Sequence, residues 1–475
     1  MKKLFIYYFL LNLLFGSLGY STNTALAVYL KNPNSSACKT RLANGSSPEV
    51  AKTFYEHCLN IISEDLLELQ KHFSIFICPS SSSDFEWTAN RWPNYGILPQ
   101  EEFDNLGKRM QITINQLLNQ GHEKVLLMGS DIPALSIESI LQNAALIGDK
   151  PVVLGPSEDG GYYLIGTNTP LPNIDEVRWS TQFALEDTIG FLSKNGISVA
   201  LGPICNDVDT MEDLFALEQH LINSKGNRIL LFDWLQQLTK VSIIIPVLNE
   251  EQNIEELAVS LLHLTPFPEI IFVDGGSNDN TISKIRQTID CTVISAPEAN
   301  RGLQMNLGVE HAKGSIFLFL HADTLLDQKA YHAMLQSALD PNISGGAFSY
   351  SLQNSEFDWR LYLIERGVAL RNMIFNMPYG DQAYFIKKKA WKEIGSFREI
   401  PLMEDVEWFD RLKKSHHTVI LDEKIKTSGR RILQKGWIKS SIINLSLVFL
   451  YKLGIDPTTL AKIYYGRPYP QPTAS

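Results

Sequence analysis

Residues 315–326 read SIFLFLHADTLL: a serine, five apolar residues in a row, then His321, Ala322 and Asp323. A run this short with no polar alternation reads as a central strand of a parallel sheet, covered on both faces. Such sheets bind ligands in the crevice outside the carboxyl ends of their strands. His321 and Asp323 therefore stand at a binding address, although the position alone does not say for what.

Working outward, VSIIIPV at 241–247 and EIIFVDGGSND at 269–279 have the same character. Between them Asn249 reads as a helix N-cap with Gln252 three residues on, and Ile254, Leu257, Ala258, Leu261 and Leu262 fall on one helical face. Further upstream the strand-like runs ALAVYL, SIFICPS, KVLLMGSD, PVVLGPS, YYLIGT and ISVALGP are separated mostly by amphipathic helical stretches. Strand and helix periods in turn mean βαβ units. The expected fold class is α/β, as two tandem domains with mostly parallel central sheets. The expected boundaries are a hydrophobic N-terminal extension at 1–24, a first domain at 25–224, a linker at 225–240 and a second domain at 241–475. The linker holds little Pro or Gly, which predicts close docking rather than a flexible tether.

A chain of 475 residues is too long for one ordinary core, and 44% hydrophobic with 20% charged residues excludes a disordered or fibrous class. The formal net charge of −10 argues against nucleic acid as a partner, since neutralising phosphates takes clustered Lys and Arg. The five cysteines show no C-x-x-C spacing, so neither a zinc site nor a disulfide framework is signalled, and a reducing compartment fits. Lys2 and Lys3 precede the apolar run LFIYYFLLNLLF, and ALA at 25–27 imitates a signal-peptidase site. Cleavage there would cut into the first strand, so the expectation is a segment neither cleaved nor exported, and too short and imperfect to span a bilayer. The expected location is the cytoplasm, with contact with the inner face of the membrane left open.

Six segments now carry a resemblance: SIIIPVLNEEQNI, VDGGSNDNT, NRGLQMNLGVEHAKGSIFLFLHADT, GGAFSY, PYGDQAYFIKK and PLMEDVEWFDRLKK. Together, over about 241–467, they resemble the family 2 glycosyltransferases, and within them the rSAM/selenodomain-associated transferase 2 group. The resemblance implies a nucleotide-diphosphosugar transferase (GT-A-like) fold and transfer of a sugar, with inversion, from a nucleotide-sugar donor to a hydroxyl acceptor. It implies that Asp274 accepts from the base or ribose, that Gly275 lets the backbone approach the ligand, and that Asp279 sits beside them. Arg301 would meet a phosphate. Asp323 would be the last acid of the Asp-x-Asp motif that holds Mn²⁺ or Mg²⁺ on the diphosphate, with His321 where the wider family has the first acid. Asp405 would be the general base, with Glu404 in reserve. Taken singly these residues also read as an Asp-Gly turn, a solvated arginine, a packed strand-end histidine and an acid favouring a helix start.

The first half carries VYLKNPNSSACKTRL, LGKRM, LMGSDIPAL, GPSEDGGYYLIG, WST and NDVDTMEDL, and resembles the companion transferase 1 family (DUF2064-like) over about 25–220. That family looks like nucleotidyltransferases. The resemblance implies that Lys39 and Arg41 grip phosphates and that Asp131 holds a metal, with Asp207 or Asp209. Ser36 stands where the family usually has Gly. A docking or nucleotide-binding module without catalysis remains an alternative for this domain, as does sugar-nucleotide binding without turnover for the whole chain.

After 424 the charge turns basic: Lys424, Lys426, Arg430, Arg431, Lys435, Lys439, Lys452, Lys462 and Arg467 face one acid, Asp456, and Trp437, Phe449 and Tyr451 interleave with them. Such a segment suits a membrane surface and a lipid-linked or carotenoid-like acceptor; it equally suits a helix docked on the core. Arg430 and Arg431 are also candidates for the diphosphate.

Overall fold

In a computed structural model, which describes residues 23–103, 105–353, 359–375, 377–428 and 437–465, the polypeptide divides into two units, Met1–Asp233 and Trp234–Ser475. Most of the segment 1–24, together with Arg430, Arg431, Lys435 and Arg467, lies outside the described residues.

The strands of the first unit are β1 (Thr24–Leu30), β2 (Ser74–Pro79), β3 (Gly96–Ile97), β4 (Lys124–Met128), β5 (Val152–Pro156), β6 (Tyr162–Thr167) and β7 (Val199–Leu201). They form one sheet in the order β3-β2-β1-β4-β6-β5-β7. Pairing is parallel except where β6 runs antiparallel to both β4 and β5. The helix Pro48–Leu69 starts at Ser47, whose hydroxyl accepts from Val50 N, with proline at its first position. Phe54, Tyr55, Cys58, Leu59, Ile62 and Leu66 recur at helical spacing and are buried. The stretch expected to be a linker contains a helix, Asn227–Leu238. Its Arg228 grips Asp65 of the first unit bidentately, at 2.8 and 2.7 Å.

The second unit holds β8 (Val241–Val247), β9 (Glu269–Asp274), β10 (Thr292–Ser295), β11 (Ile316–Phe319), β12 (Thr324–Leu325), β13 (Gly345–Gln353), β14 (Tyr384–Lys387) and β15 (Thr418–Ser428). Their order is β10-β9-β8-β11-β14-β13-β15-β12. The opening run is thus the fourth of eight strands and fully buried, parallel to β8 on one side but antiparallel to β14 on the other. Asn249 does not cap the following helix: it takes a left-handed φ of 54°, and the helix Ile254–Leu262 begins after Asn253. Ile254, Leu257, Ala258 and Leu261 pack inward, whereas Leu262, at the last turn, is exposed.

At the tip of β11 an aromatic cluster fixes the acid-bearing helix Glu404–Ser415. Trp408 is fully buried, stacks on Phe397 at 4.5 Å and on Tyr384 at 5.9 Å, and meets Phe319 edge-on at 5.7 Å. Aromatic pairs of this kind add to the free energy of area burial, so the start of the helix is held firmly against the sheet. All five cysteines are free thiols; Cys38, Cys58 and Cys78 are buried, Cys205 and Cys291 half-buried. No helix among the described residues is long and apolar enough to cross a membrane.

Candidate active site

The loop after β9 is built around its own acids. Asp274 is 7% exposed, and its Oδ1 accepts from Ser277 N at 3.0 Å and Ser277 Oγ at 2.6 Å. A side chain on Gly275 would come within 3.2 Å of the Ala299 backbone and the Gln304 amide, and Gly276 takes the left-handed φ of 94° that glycine adopts without strain. Asn249 joins this loop to the one after β8, its Oδ1 accepting from Asn278 N. Asp279 does the same: its oxygens accept from Thr281 N, Thr281 Oγ1 and Glu251 N. Burial pushes its carboxyl up, but these hydrogen bonds outweigh that and hold it below the usual range. Oδ2 of Asp279 thus joins the two loops, while Oδ1 is taken up by Thr281 in its own segment.

The tips of β11 and of the helix Glu404–Ser415 meet at Gly380. A side chain there would lie 2.9 Å from Asp405 Oδ2 and 3.3 Å from His321 Nε2. Gly380 N donates to Asp405 Oδ2 and Val406 N to Oδ1, both at 2.7 Å. The next residue, Asp381, has its carboxyl pushed up to about 6; burial is the main cause, Asp405 and Asp323 add to it, and Arg371 and Arg301 oppose it. Glu404 is only 4% exposed and pairs with Arg301 at 3.3 Å. Its carboxyl is raised by burial and by Asp405, against the pull of Arg301. Four acids, Asp323, Asp381, Glu404 and Asp405, therefore share one field with Arg301 and Arg371. Fully ionised they would leave an excess of negative charge, which suits a hard divalent cation. His321, Asp323, Asp381 and Asp405 are partly open to solvent, whereas Glu404 is buried.

Arg301, about half exposed, pairs with Glu404. Asp381 and Arg371 carried no role in the sequence reading. The available signal was an acid between Gly380 and a following apolar strand, the reverse of the order at Asp323, which follows its strand. Gly380→Ala is expected to lower turnover about 10²-fold, because a displacement of roughly 1 Å in a reacting group costs that much. Steady-state kinetics at saturating substrate checks it; an unchanged kcat would separate Gly380 from the reacting groups.

In the first unit Asp131 follows β4, and Asp207 and Asp209 follow β7. Their ligating oxygens lie within 4.8 Å of one another, the single group of this kind among the described residues. Lys39, at a left-handed φ of 49°, places its ammonium among them, 2.6 Å from Asp131, 2.7 Å from Asp209 and 4.0 Å from Asp207. Its side chain is 4% exposed. Arg41 is more open and reaches Asp209 at 3.2 Å. Burial alone would lower the Lys39 pKa, but Asp131 and Asp209 raise it well above the usual value. Burial would raise Asp131, but Lys39 holds it below its usual range. Asp207 is pushed up to about 6, mostly by burial and further by Asp131 and Asp209. Three carboxylates around a compact cation fit a divalent metal, and the ammonium now fills that role. Ser36 keeps an ordinary negative φ, so glycine is not needed there; the left-handed residue of this loop is Lys39.

Residues 66–181 match the family described as "Uncharacterized protein conserved in bacteria (DUF2064)", and residues 242–398 match glycosyl transferase family 2. A poly-β-1,6-N-acetyl-D-glucosamine synthase of Staphylococcus aureus (strain COL) is 31% identical over 109 residues, which is 22% of this chain and 26% of that protein. The uncharacterized glycosyltransferase sll0501 of Synechocystis is 34% identical over 96 residues, 18% of this chain and 29% of that one. The chain thus spans under a third of the length of these curated relatives. Among solved structures, a putative nucleotide-diphospho-sugar transferase from Desulfovibrio desulfuricans G20 is 28% identical with a TM-score of 0.42, covering 45% of this chain and 94% of that one. A mannosyltransferase from Pyrobaculum calidifontis in complex with GDP-Man and Mn²⁺ is 17% identical with a TM-score of 0.32, over 45% and 68%.

Proposed function

With a DUF2064 segment and a family 2 glycosyltransferase segment fused in one chain, we propose that the second unit moves a sugar, with inversion, from a nucleotide-sugar donor to a hydroxyl acceptor. The observation that carries this reading is the meeting of Asp405 and His321 at Gly380, beyond the tip of the central strand β11, with Asp381 the next residue along and Glu404 beside Asp405. Asp274 and the Gly275 backbone receive the nucleoside end of the donor. Asp323 and His321 are the residues that would hold a Mn²⁺ or Mg²⁺ ion, which would offset charge developing on the leaving diphosphate. Two protein ligands suffice where substrate oxygens complete the shell. Asp405 takes the acceptor proton as the acceptor oxygen bonds to the anomeric carbon and the bond to the diphosphate breaks. Its open edge supports this role over buried Glu404, and the amides of Gly380 and Val406 aim it.

In the same reading a cation on Asp131, Asp207 and Asp209 would displace the Lys39 ammonium from them, and Lys39 and Arg41 would then take a nucleoside phosphate, as a nucleotidyltransferase-like site. Exposed Leu445, Phe449 and Leu453, near the C-terminal end of the second unit, support contact with the inner face of the membrane, where a lipid-linked acceptor would lie.

Asp323→Ala is expected to abolish the part of donor affinity that depends on metal. Calorimetric titration of UDP-glucose and GDP-mannose with and without Mn²⁺ checks this. A variant that still gains affinity from Mn²⁺ as the unsubstituted protein does would rule out Asp323 as the ligand.

A further inference from the structure

A cavity of about 200 Å³ lies in the second unit between β13, β15 and the helix Trp359–Phe375. Tyr362, Glu365, Ala369 and Asn372 line it from the helix, and Tyr350 and Lys424 from the strands. The helix residues recur at three- and four-residue spacing, so they form one stripe. On the sheet side the β13–β15 register shifts between Phe348 and Ser349, which brings Lys424 opposite Ser349. Such irregularities re-aim side chains and are frequent beside active sites.

The cavity neighbours the acid centre. Thr427, three residues beyond Lys424 on β15 and so about 10 Å along the strand, donates its hydroxyl to the Asp381 carbonyl at 3.2 Å and lies 3.1 Å from the hydroxyl of Thr324, the residue after Asp323. Gln382, the residue after Asp381, donates to the Phe348 carbonyl and accepts from Arg371, the residue before Asn372. The phenol of Tyr350 is raised by burial and further by Asp381 and Asp323.

Its lining is chemically mixed. Glu365 is anchored, one oxygen accepting from Leu352 N at 2.8 Å and the other 3.6 Å from the Lys424 ammonium. Arg366 donates to the Tyr362 hydroxyl at 2.9 Å and lies over its ring, which holds that aromatic face in place. A hydrocarbon chain would desolvate Glu365, Lys424 and Asn372 without giving them hydrogen bonds. A phosphate would have to draw Lys424 from Glu365 and Arg366 from Tyr362, and would lie against the Glu365 carboxylate. A neutral polyhydroxy ring satisfies both kinds of surface, with its C–H face on a tyrosine and its hydroxyls on the polar groups. The volume is below that of pockets for drug-sized ligands, which run from roughly 300 Å³ upward, and so matches a single ring.

We propose that this cavity is the acceptor subsite and that the acceptor presents a sugar ring to it, whatever that sugar is attached to. The assignment rests on the reading of the second unit as the sugar-transferring one.

The test uses the full chain with methyl β-D-glucopyranoside, methyl N-acetyl-β-D-glucosaminide and n-octanol as probes, read by saturation-transfer NMR. At least one glycoside is expected to show transfer to its ring protons. Ala369→Trp, at an exposed position where a large side chain disturbs no core, is expected to abolish that signal, and Tyr362→Ala to weaken binding at least tenfold. Thermal unfolding of both variants verifies that they are folded. Binding of octanol alone, of no probe, or equal glycoside signals in all three proteins would each overturn the assignment. Donor titration on the same samples separates the two readings. Donor binding without glycoside binding sinks the subsite alone, whereas glycoside binding without any nucleotide-sugar binding sinks the transferase reading.

Discussion

Asp405→Asn is expected to lower sugar transfer by about 10² to 10⁴ while leaving donor affinity near its original value, since that is the usual contribution of a general base. Asparagine keeps the shape of the side chain, and its carbonyl oxygen can still accept from Gly380 N or Val406 N, but it cannot take the acceptor proton. The substitution also removes one of the charges that raise Asp381 and Glu404. Both neighbours then ionise at lower pH, so the small residual rate should rise at lower pH than the unsubstituted rate does. Pre-steady-state measurement of transfer across pH 5–8 reads both effects. An unchanged rate would move the base to Glu404. A parallel loss of donor affinity would make Asp405 part of the donor site.

Lys39→Met is expected to destabilise the first unit by about 3–5 kcal/mol at neutral pH, the usual result of removing one partner from a buried ion pair. For a domain of this size that is a fall in melting temperature of roughly 6–20 °C. Without the ammonium, burial raises Asp131 unopposed, as burial and the neighbouring acids already raise Asp207 to about 6. The sign follows from linkage. Acids whose folded pKa lies above the unfolded value bind more protons in the native state. Their stabilising effect is complete below the unfolded value near 3.9 and is lost as pH rises through the folded value. The deficit should therefore be small at pH 4 and large at pH 7. Millimolar Mn²⁺ or Mg²⁺ should recover much of it by binding the folded state. A variant that melts like the unsubstituted protein at pH 7, or whose loss is insensitive to both pH and cations, would end the idea that Lys39 stands in for a metal.

The burial of the opening strand and the acid at its tip were legible because a strand covered on both faces has no polar alternation to hide it. Its pairing was less so. An apolar run records burial, not direction, and nothing in YFIK or YYLIGT marks β14 and β6 as antiparallel members of largely parallel sheets. Asp381 went unassigned for a related reason: it nears Asp323 and Asp405 only because β14 lies beside β11 and β12 pairs with β15. The ion pairs of Lys39 were not legible, because its acidic partners are remote in sequence, Asp209 being 170 residues away. Asn249 carried a helix-cap signal, but the loop after β9 offered its side chain a competing hydrogen bond.

The state of the five thiols has a practical consequence for following these events by fluorescence. Burial raises every one of them, Cys205 and Cys291 to about 11 and the three in the core by burial as well. Only the thiolate reacts with maleimides, and at pH 7 a thiol with a pKa of 11 is ionised to about one part in 10⁴ against a few per cent for an ordinary one. A cysteine introduced at exposed Ala369 should therefore take a dye roughly two orders of magnitude faster than the native thiols. The natural chain is already a quiet background for a single-site optical reporter at the rim of the cavity, with no need to remove any of its own cysteines first.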